Sequence, residues 1–268
     1  MVGDDFRGIS YSDEGEGMAI IMLPGMEGSK EFWRPQQEAL RESHRVVACD
    51  LPLFRPRLSR NISDYACAVI DVMDSLEVER AVVVGESLGG TVAQELAIVH
   101  PERVCGLVLV NTIDHRNRFG FGLNMFTLAT IVHQFALLPF LTDRARRRLL
   151  GWVGRHRGFV MDPTPGNERL IDYLFEYGTQ CGPGGYLDRM IAGSTVSFTD
   201  RLAGIGVPTL VIRGTEDRLV RPEAVLSFVG RIPSAELALI EGGGHCCSHT
   251  MPDETNAAVV AWLENVGL

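Results

Sequence analysis

The sequence predicts an α/β protein: a mostly parallel central sheet flanked by helices and interrupted by a helical insertion. Three observations carry this expectation. Short apolar runs alternate with amphipathic stretches from residue 1 to about 112 and again from about 200 to the end, the pattern of buried strands joined by crossover helices. The alternation fails between about Ile113 and Thr199. Glycine and proline mark the turns between the elements.

Taken in order, Gly8–Ser12 and Ala19–Leu23 read as strands separated by Gly15–Gly17. Arg45–Cys49, Ala81–Gly85 and Val104–Val110 read as further strands, with helices at Glu31–Glu42, Ile62–Leu76 and Leu88–Val99 between them. Pro101, which cannot continue a helix, ends the last of these. The region from 113 to 199 reads as mostly helical, with breaks at Pro163–Gly166 and Gly182–Gly185. Beyond it, Pro208 opens a strand at Thr209–Arg213 and Pro222 a helix at Glu223–Arg231, followed by a strand at Glu236–Ile240 and a helix at Glu254–Asn265.

Composition bounds the function. A chain of 268 residues, 46% hydrophobic and 22% charged, is long enough to bury a large core and has no low-complexity tract, so one domain with an insertion is expected. A net charge of -9 argues against a nucleic-acid partner, because phosphate neutralisation needs a dense basic surface. Six cysteines without C-x-x-C spacing suit a reducing compartment, and Met1–Asp5 begins no basic and apolar leader, so a cytoplasmic location is expected. The apolar stretch Phe119–Leu141 is long enough to resemble a spanning helix, but Asn124, His133, Gln134 and Pro139 interrupt it. It reads as a buried helical hairpin over a hydrophobic pocket.

The chemistry centres on "VVVGESLGGT", residues 82 to 91. An apolar strand stops at Ser87 with Gly85 before it and Gly89 after it, and a helix follows. Glycines there remove the Cβ atoms that would collide in a sharp turn, leaving the serine hydroxyl exposed at the carboxyl end of the strand. This is a G-x-S-x-G nucleophile elbow in the strand-turn-helix context it requires. The plainer reading is a glycine-rich turn whose serine only caps the helix.

A serine hydroxyl is a weak nucleophile, so it needs a base and a carboxylate to orient that base. "PTLVIRGTEDRLV" supplies Asp217 after a buried strand, with Glu216 as the local competitor and a turn-capping aspartate as the bland alternative. "ALIEGGGHCCSHTMPDE" supplies His245 in a glycine-rich loop after the last strand, with His249 as its rival. The order Ser87, Asp217, His245 is the order expected of this architecture. The negative oxygen of a tetrahedral intermediate needs donors. The Leu88 N–H at a helix start is one, and "IIMLPGMEGS" offers the other, with Met26 as donor and Gly25 clearing its approach.

On these residues the chain resembles the α/β-hydrolase fold superfamily, in its serine-nucleophile, capped branch of esterases and carbon–carbon bond hydrolases. The segments "GESLGGTVAQELAIVHPERVCGLVLVNT", "VPTLVIRGTEDRLV" and "GGGHCCSHTMPDE" carry the resemblance. It implies a Ser87–Asp217–His245 triad on a core of residues 1–112 and 200–268, with 113–199 as a helical cap over the pocket. Two departures stand out. Pro24 occupies the place where the family usually has histidine before the oxyanion glycine. "DLPLFRPRLS" replaces the usual D-L-P-G-x-G-x-S after the strand Arg45–Cys49.

The remaining candidates are weaker. Cys246, Cys247 and His249 beside His245 make a poor metal set, because adjacent cysteines do not easily ligate one ion, and neither a metal nor another cofactor is expected. The arginine stretch Arg144, Arg146, Arg147, Arg148 reads first as a solvated face, and second as a dock for an anionic acyl carrier such as acyl carrier protein or coenzyme A. Phe121, Met125, Phe126, Leu128, Ile131 and Phe135 read mainly as core, some of them lining an acyl site. The expected function is therefore hydrolysis of a carboxylic ester with a fairly hydrophobic acyl group. The alternatives are a carbon–carbon bond hydrolase or acyl thioesterase using the same three residues, and a binding protein that keeps the elbow without catalysing.

Overall fold

The computed structural model describes residues 2–4, 9–26, 28–52, 61–112, 141–145, 148, 167–178, 180 and 182–268. Strands β1 (Val2–Asp4), β2 (Ser10–Glu14), β3 (Ala19–Leu23), β4 (Arg45–Cys49), β5 (Ala81–Glu86), β6 (Val104–Val110), β7 (Thr209–Gly214) and β8 (Ala235–Ile240) form one sheet. Its order is β1-β2-β4-β3-β5-β6-β7-β8. The β1–β2 and β2–β4 pairings are antiparallel, and every other pairing is parallel.

Helices cover both faces, as a parallel sheet requires. They are α1 (Arg34–Leu40), α2 (Ile62–Ser75), α3 (Leu88–Val99), α4 (Asn167–Glu176), α5 (Gly182–Ser194), α6 (Pro222–Val229), α7 (Cys247–Thr250) and α8 (Pro252–Val266). Alternate side chains of a strand point to opposite faces, so the valine runs of β5 feed two cores. Val83 joins Ile21, Leu107 and the α2 and α3 residues Val69 and Val92 on one side. Val82 and Val84 join Trp33 and Trp262 on the other. Both faces being apolar explains why β5 reads as an unbroken hydrophobic run.

Local chemistry sets several boundaries. Asn61 and Asp64 form a reciprocal capping box that starts α2, an arrangement worth about 1 kcal/mol. The single helix expected at Glu31–Glu42 is instead a 3-10 turn at Lys30–Trp33, capped by Ser29, followed by α1. Pro35 falls in the first turn of α1, where its missing N–H costs nothing. The strand expected at Gly8–Ser12 lies two residues later because its register is taken from β4, with Tyr11 opposite Cys49 and Glu14 opposite Val46. Gly182–Gly185, expected as a break, opens α5, with Gly182 at φ +64.

Between β6 and β7 the described helices are α4 and α5. Leu170 and Tyr173 of α4 belong to the core cluster around Trp33, and Ala192 of α5 belongs to the cluster under α2 and α3. The candidate pocket residues Phe121, Met125, Phe126, Leu128, Ile131 and Phe135, the break at Pro163–Gly166 and the loop at 53–60 lie outside the described residues. Among the described residues no helix is long and apolar enough to cross a membrane.

Candidate active site

Parallel strands end together, so the loops after β3, β5, β6, β7 and β8 meet along one edge of the sheet. The turn after β5 is sharp. Ser87 takes φ 52 and ψ -114, a region that L residues avoid. The chain passes so closely that a Cβ on Gly85 would stand 2.4 Å from the Gly89 carbonyl oxygen. A Cβ on Gly89 would stand 2.0 Å from that of Leu23. Glycine at both positions is a steric requirement.

His245 Nε2 lies 3.0 Å from Ser87 Oγ, and His245 Nδ1 lies 3.0 Å from Asp217 Oδ2. A carboxylate can only accept, so Nδ1 carries the proton and Nε2 is left to accept from the serine hydroxyl. The imidazole and the carboxylate are both buried, whereas Ser87 is partly open. Asp217 is fixed in turn: its Oδ1 accepts the Leu219 N–H at 2.8 Å and the Val220 N–H at 3.0 Å. Arg213 donates to the carbonyls of Thr215, Asp217 and Val220, which wraps the acid loop around a buried guanidinium.

The competitors point elsewhere. Glu216 is exposed. His249 is buried, with Nδ1 donating to the Phe32 carbonyl at 2.9 Å and its ring stacked on Phe32 at 5.0 Å. Burial pushes its imidazole below the ordinary value, against the hydrogen bonds to the Phe32 and Arg169 carbonyls. Cys247 Sγ receives an N–H from Asn111 at 3.2 Å.

Leu88 opens α3, a helix of 12 residues whose positive end therefore faces the nucleophile. Gly25 is packed on Ser87, since a Cβ there would lie 3.4 Å from that of the serine. That brings the loop holding Met26 beside the hydroxyl. Of the arginines, Arg144 and Arg148 are exposed, while Arg146 and Arg147 fall outside the described residues.

Sequence reasoning missed three residues that organise this edge. Asn111, at φ 44 after β6, donates from Nδ2 to the carbonyls of Gly244 at 3.1 Å and His245 at 2.9 Å. Its Oδ1 accepts the Gly214 N–H at 2.9 Å, joining the histidine loop to the end of β7. Thr112 donates to the Ser87 carbonyl at 2.7 Å. Behind the elbow, the buried Glu86 accepts a hydrogen bond from Ser248. The only available signal was the polar pair Asn111-Thr112 directly after an apolar strand.

A family model for the alpha/beta hydrolase family matches residues 20–258. A Serratia proteamaculans protein provisionally named carbamate hydrolase RutD is 29% identical over 261 residues, covering 91% of this chain and 90% of the relative. Among solved structures, the meta-cleavage product hydrolase CumD of Pseudomonas fluorescens IP01 superposes with a TM-score of 0.73 at 26% identity, over 96% of this chain and 94% of that one. Est816, described as an N-acyl homoserine lactone degrading enzyme, gives 0.74 at 25% identity over 97% and 98%.

Proposed function

The chain belongs to the alpha/beta hydrolase family and is a hydrolase, and on that premise we propose that it cleaves carboxylic esters through an acyl-enzyme on Ser87. The observation that carries this reading is the 3.0 Å contact of His245 Nε2 with Ser87 Oγ, backed by Asp217 at 3.0 Å on the other nitrogen. Ser87 Oγ attacks the ester carbonyl carbon while its proton passes to His245 Nε2. The resulting imidazolium is stabilised by the Asp217 carboxylate. The tetrahedral oxygen is received by the N–H groups of Leu88 and Met26. Collapse expels the alcohol, which leaves with the proton from Nε2. Water then attacks the acyl-enzyme, His245 takes its proton, and the acid departs as Ser87 regains its hydrogen.

Residues 113–199 act in this reading as a cap over the acyl site, and the apolar run Phe119–Leu141 within them supports a fairly hydrophobic substrate. A second reading is favoured by the Serratia relative's name: carbamate hydrolysis, in which the same attack on an alkyl carbamate expels the alcohol, water hydrolyses the carbamoyl-enzyme, and the carbamic acid released breaks down to amine and carbon dioxide. The likeness to CumD keeps carbon–carbon bond cleavage in the same frame.

The test has two parts. A fluorophosphonate probe is expected to label the wild type and not Ser87→Ala, and a wild type that stays unlabelled favours a binding role for the fold. Turnover is then compared on p-nitrophenyl esters of graded chain length, an acyl thioester, a vinylogous diketone and an alkyl carbamate. Greatest kcat/KM on the esters supports the proposal, and preference for another class replaces it.

A further inference from the structure

The loop after β3 is held by a residue from the segment between β6 and β7. Arg189 of α5 is 1% exposed. Its Nη1 donates to the Met26 carbonyl at 3.0 Å and its Nη2 to the Leu51 carbonyl at 2.7 Å. Gly28 makes room for it: a Cβ there would stand 2.0 Å from Nη1, and Gly28 itself adopts φ +69. Among the described residues the guanidinium makes no ion pair, although the Asp50 carboxyl is near enough to feel its charge.

Burying a guanidinium on backbone carbonyls is expensive compared with filling the same volume with leucine or methionine. Stability alone is therefore a poor reason for this side chain. Position is a better one. Pro24 provides neither an N–H nor a polar side chain with which the loop could secure itself. Its start is instead pressed onto Gly89, where the Leu23 and Pro24 carbonyl oxygens lie 2.0 and 2.5 Å from a Cβ that glycine lacks. Its far side is tied to Arg189, with Met26 between. Arg213 shows the same device on the acid loop, donating to three carbonyls there.

We propose that Arg189 is a positioning residue for the oxyanion loop, its two Nη groups holding the Met26 and Leu51 carbonyls so that the Met26 N–H stays aimed at the oxygen bound beside Ser87. The inference rests on the ester-hydrolase reading above. Arg189 belongs to α5, which also packs on the start of α3, where a Cβ on Gly193 would stand 2.9 Å from Leu88 Cδ1, so the packing of this helix and the geometry of the oxyanion site are coupled. Arginine suits the task because its planar fork reaches two acceptors at once, which a lysine ammonium copies only in part.

The test compares full-length wild type, Arg189→Met, Arg189→Lys and Gly28→Ala. Active sites are titrated with a fluorophosphonate, and turnover of a short p-nitrophenyl ester is expressed per titrated site. Inhibition by an alkyl trifluoromethyl ketone is measured alongside. Ser87 Oγ adds to its carbonyl, the serine proton passes to His245, and the hemiketal oxyanion takes the place of the reacting oxygen. Arg189→Met is expected to lose about 10- to 100-fold in kcat with KM nearly unchanged, and the ketone to weaken by a similar factor. Arg189→Lys should recover part of the loss. Gly28→Ala, which displaces the guanidinium and keeps its charge, should behave like Arg189→Met. If Arg189→Met does not fold, the other two variants carry the same comparison. Wild-type kcat per titrated site in the variants, or a loss confined to the fraction that titrates, overturns the assignment. A wild type that neither labels nor turns over overturns the hydrolytic reading, and the inference with it.

Discussion

Asn111 Nδ2 donates to the carbonyl oxygen of His245 at 2.9 Å, across 134 positions of sequence. The strand ends of β5, β6, β7 and β8 lie side by side, so the residue after β6 stands between those that carry Ser87, Asp217 and His245. Asn111→Ala strands the Gly244 and His245 carbonyls and the Gly214 N–H in a buried place. A loss of about 2–4 kcal/mol in stability is expected, read from urea unfolding. At a temperature where the variant is folded, kcat should fall while KM changes little, because the imidazole is no longer held at its distance from Ser87 Oγ.

Ser87 stores backbone strain. Its φ 52 and ψ -114 are the mirror image of a conformation that is ordinary for L residues, so glycine adopts it without penalty. Ser87→Gly should abolish turnover, with losses on the order of 10⁴–10⁶. It should also raise stability by about 1 kcal/mol, since strain of this kind costs about 1–3 kcal/mol. An unchanged melting temperature for Ser87→Gly would remove strain from the account of the elbow.

Gly89 makes the opposite case. Its Cβ would stand 2.0 Å from the Leu23 carbonyl oxygen and 2.5 Å from that of Pro24, both backbone atoms that cannot rotate away. Gly89→Ala must push the loop after β3 off α3, so a loss of about 1–3 kcal/mol is expected together with a fall in kcat. Full activity in this variant would mean that the loop tolerates displacement.

His249 makes stability depend on pH. Burial holds its imidazole below the ordinary value of about 6.5, so the unfolded chain takes up the proton first as pH falls. The folded state therefore loses stability below about pH 6.5, until pH has also dropped below the folded value. The difference in urea midpoint between pH 7.5 and pH 5.5 should shrink in His249→Asn, which keeps a donor for the Phe32 carbonyl and cannot take a proton. Asp50 acts in the other direction, because burial pushes its carboxyl up. Comparing variant with wild type cancels that contribution.

Much of this molecule can be read locally. Ala19–Leu23, Arg45–Cys49, Val104–Val110 and Leu88–Val99 have the bounds expected from apolar runs and turn residues, because period and punctuation are properties of neighbouring residues. Departures arise where a partner decides: β2 takes its register from β4, and Pro35 divides the first helix. Glu216 against Asp217, and His249 against His245, differ by a few positions in a loop. Only the surrounding contacts separate them.

By itself, then, the sequence determined most of the order of strands and helices outside residues 113–199, though not β1 or α7, together with the glycine-hemmed turn at Ser87 and the loops in which an acid and a base could stand. The tertiary structure decided which side chains meet, and it alone brought in Asn111 from the turn after β6 and Arg189 from α5. The reason is physical. Strand and turn propensities act over a few residues, whereas the His245–Ser87 and Arg189–Met26 contacts join positions separated by 158 and 163 residues. Such pairs exist only once the parallel strands have stacked their carboxyl ends along one edge.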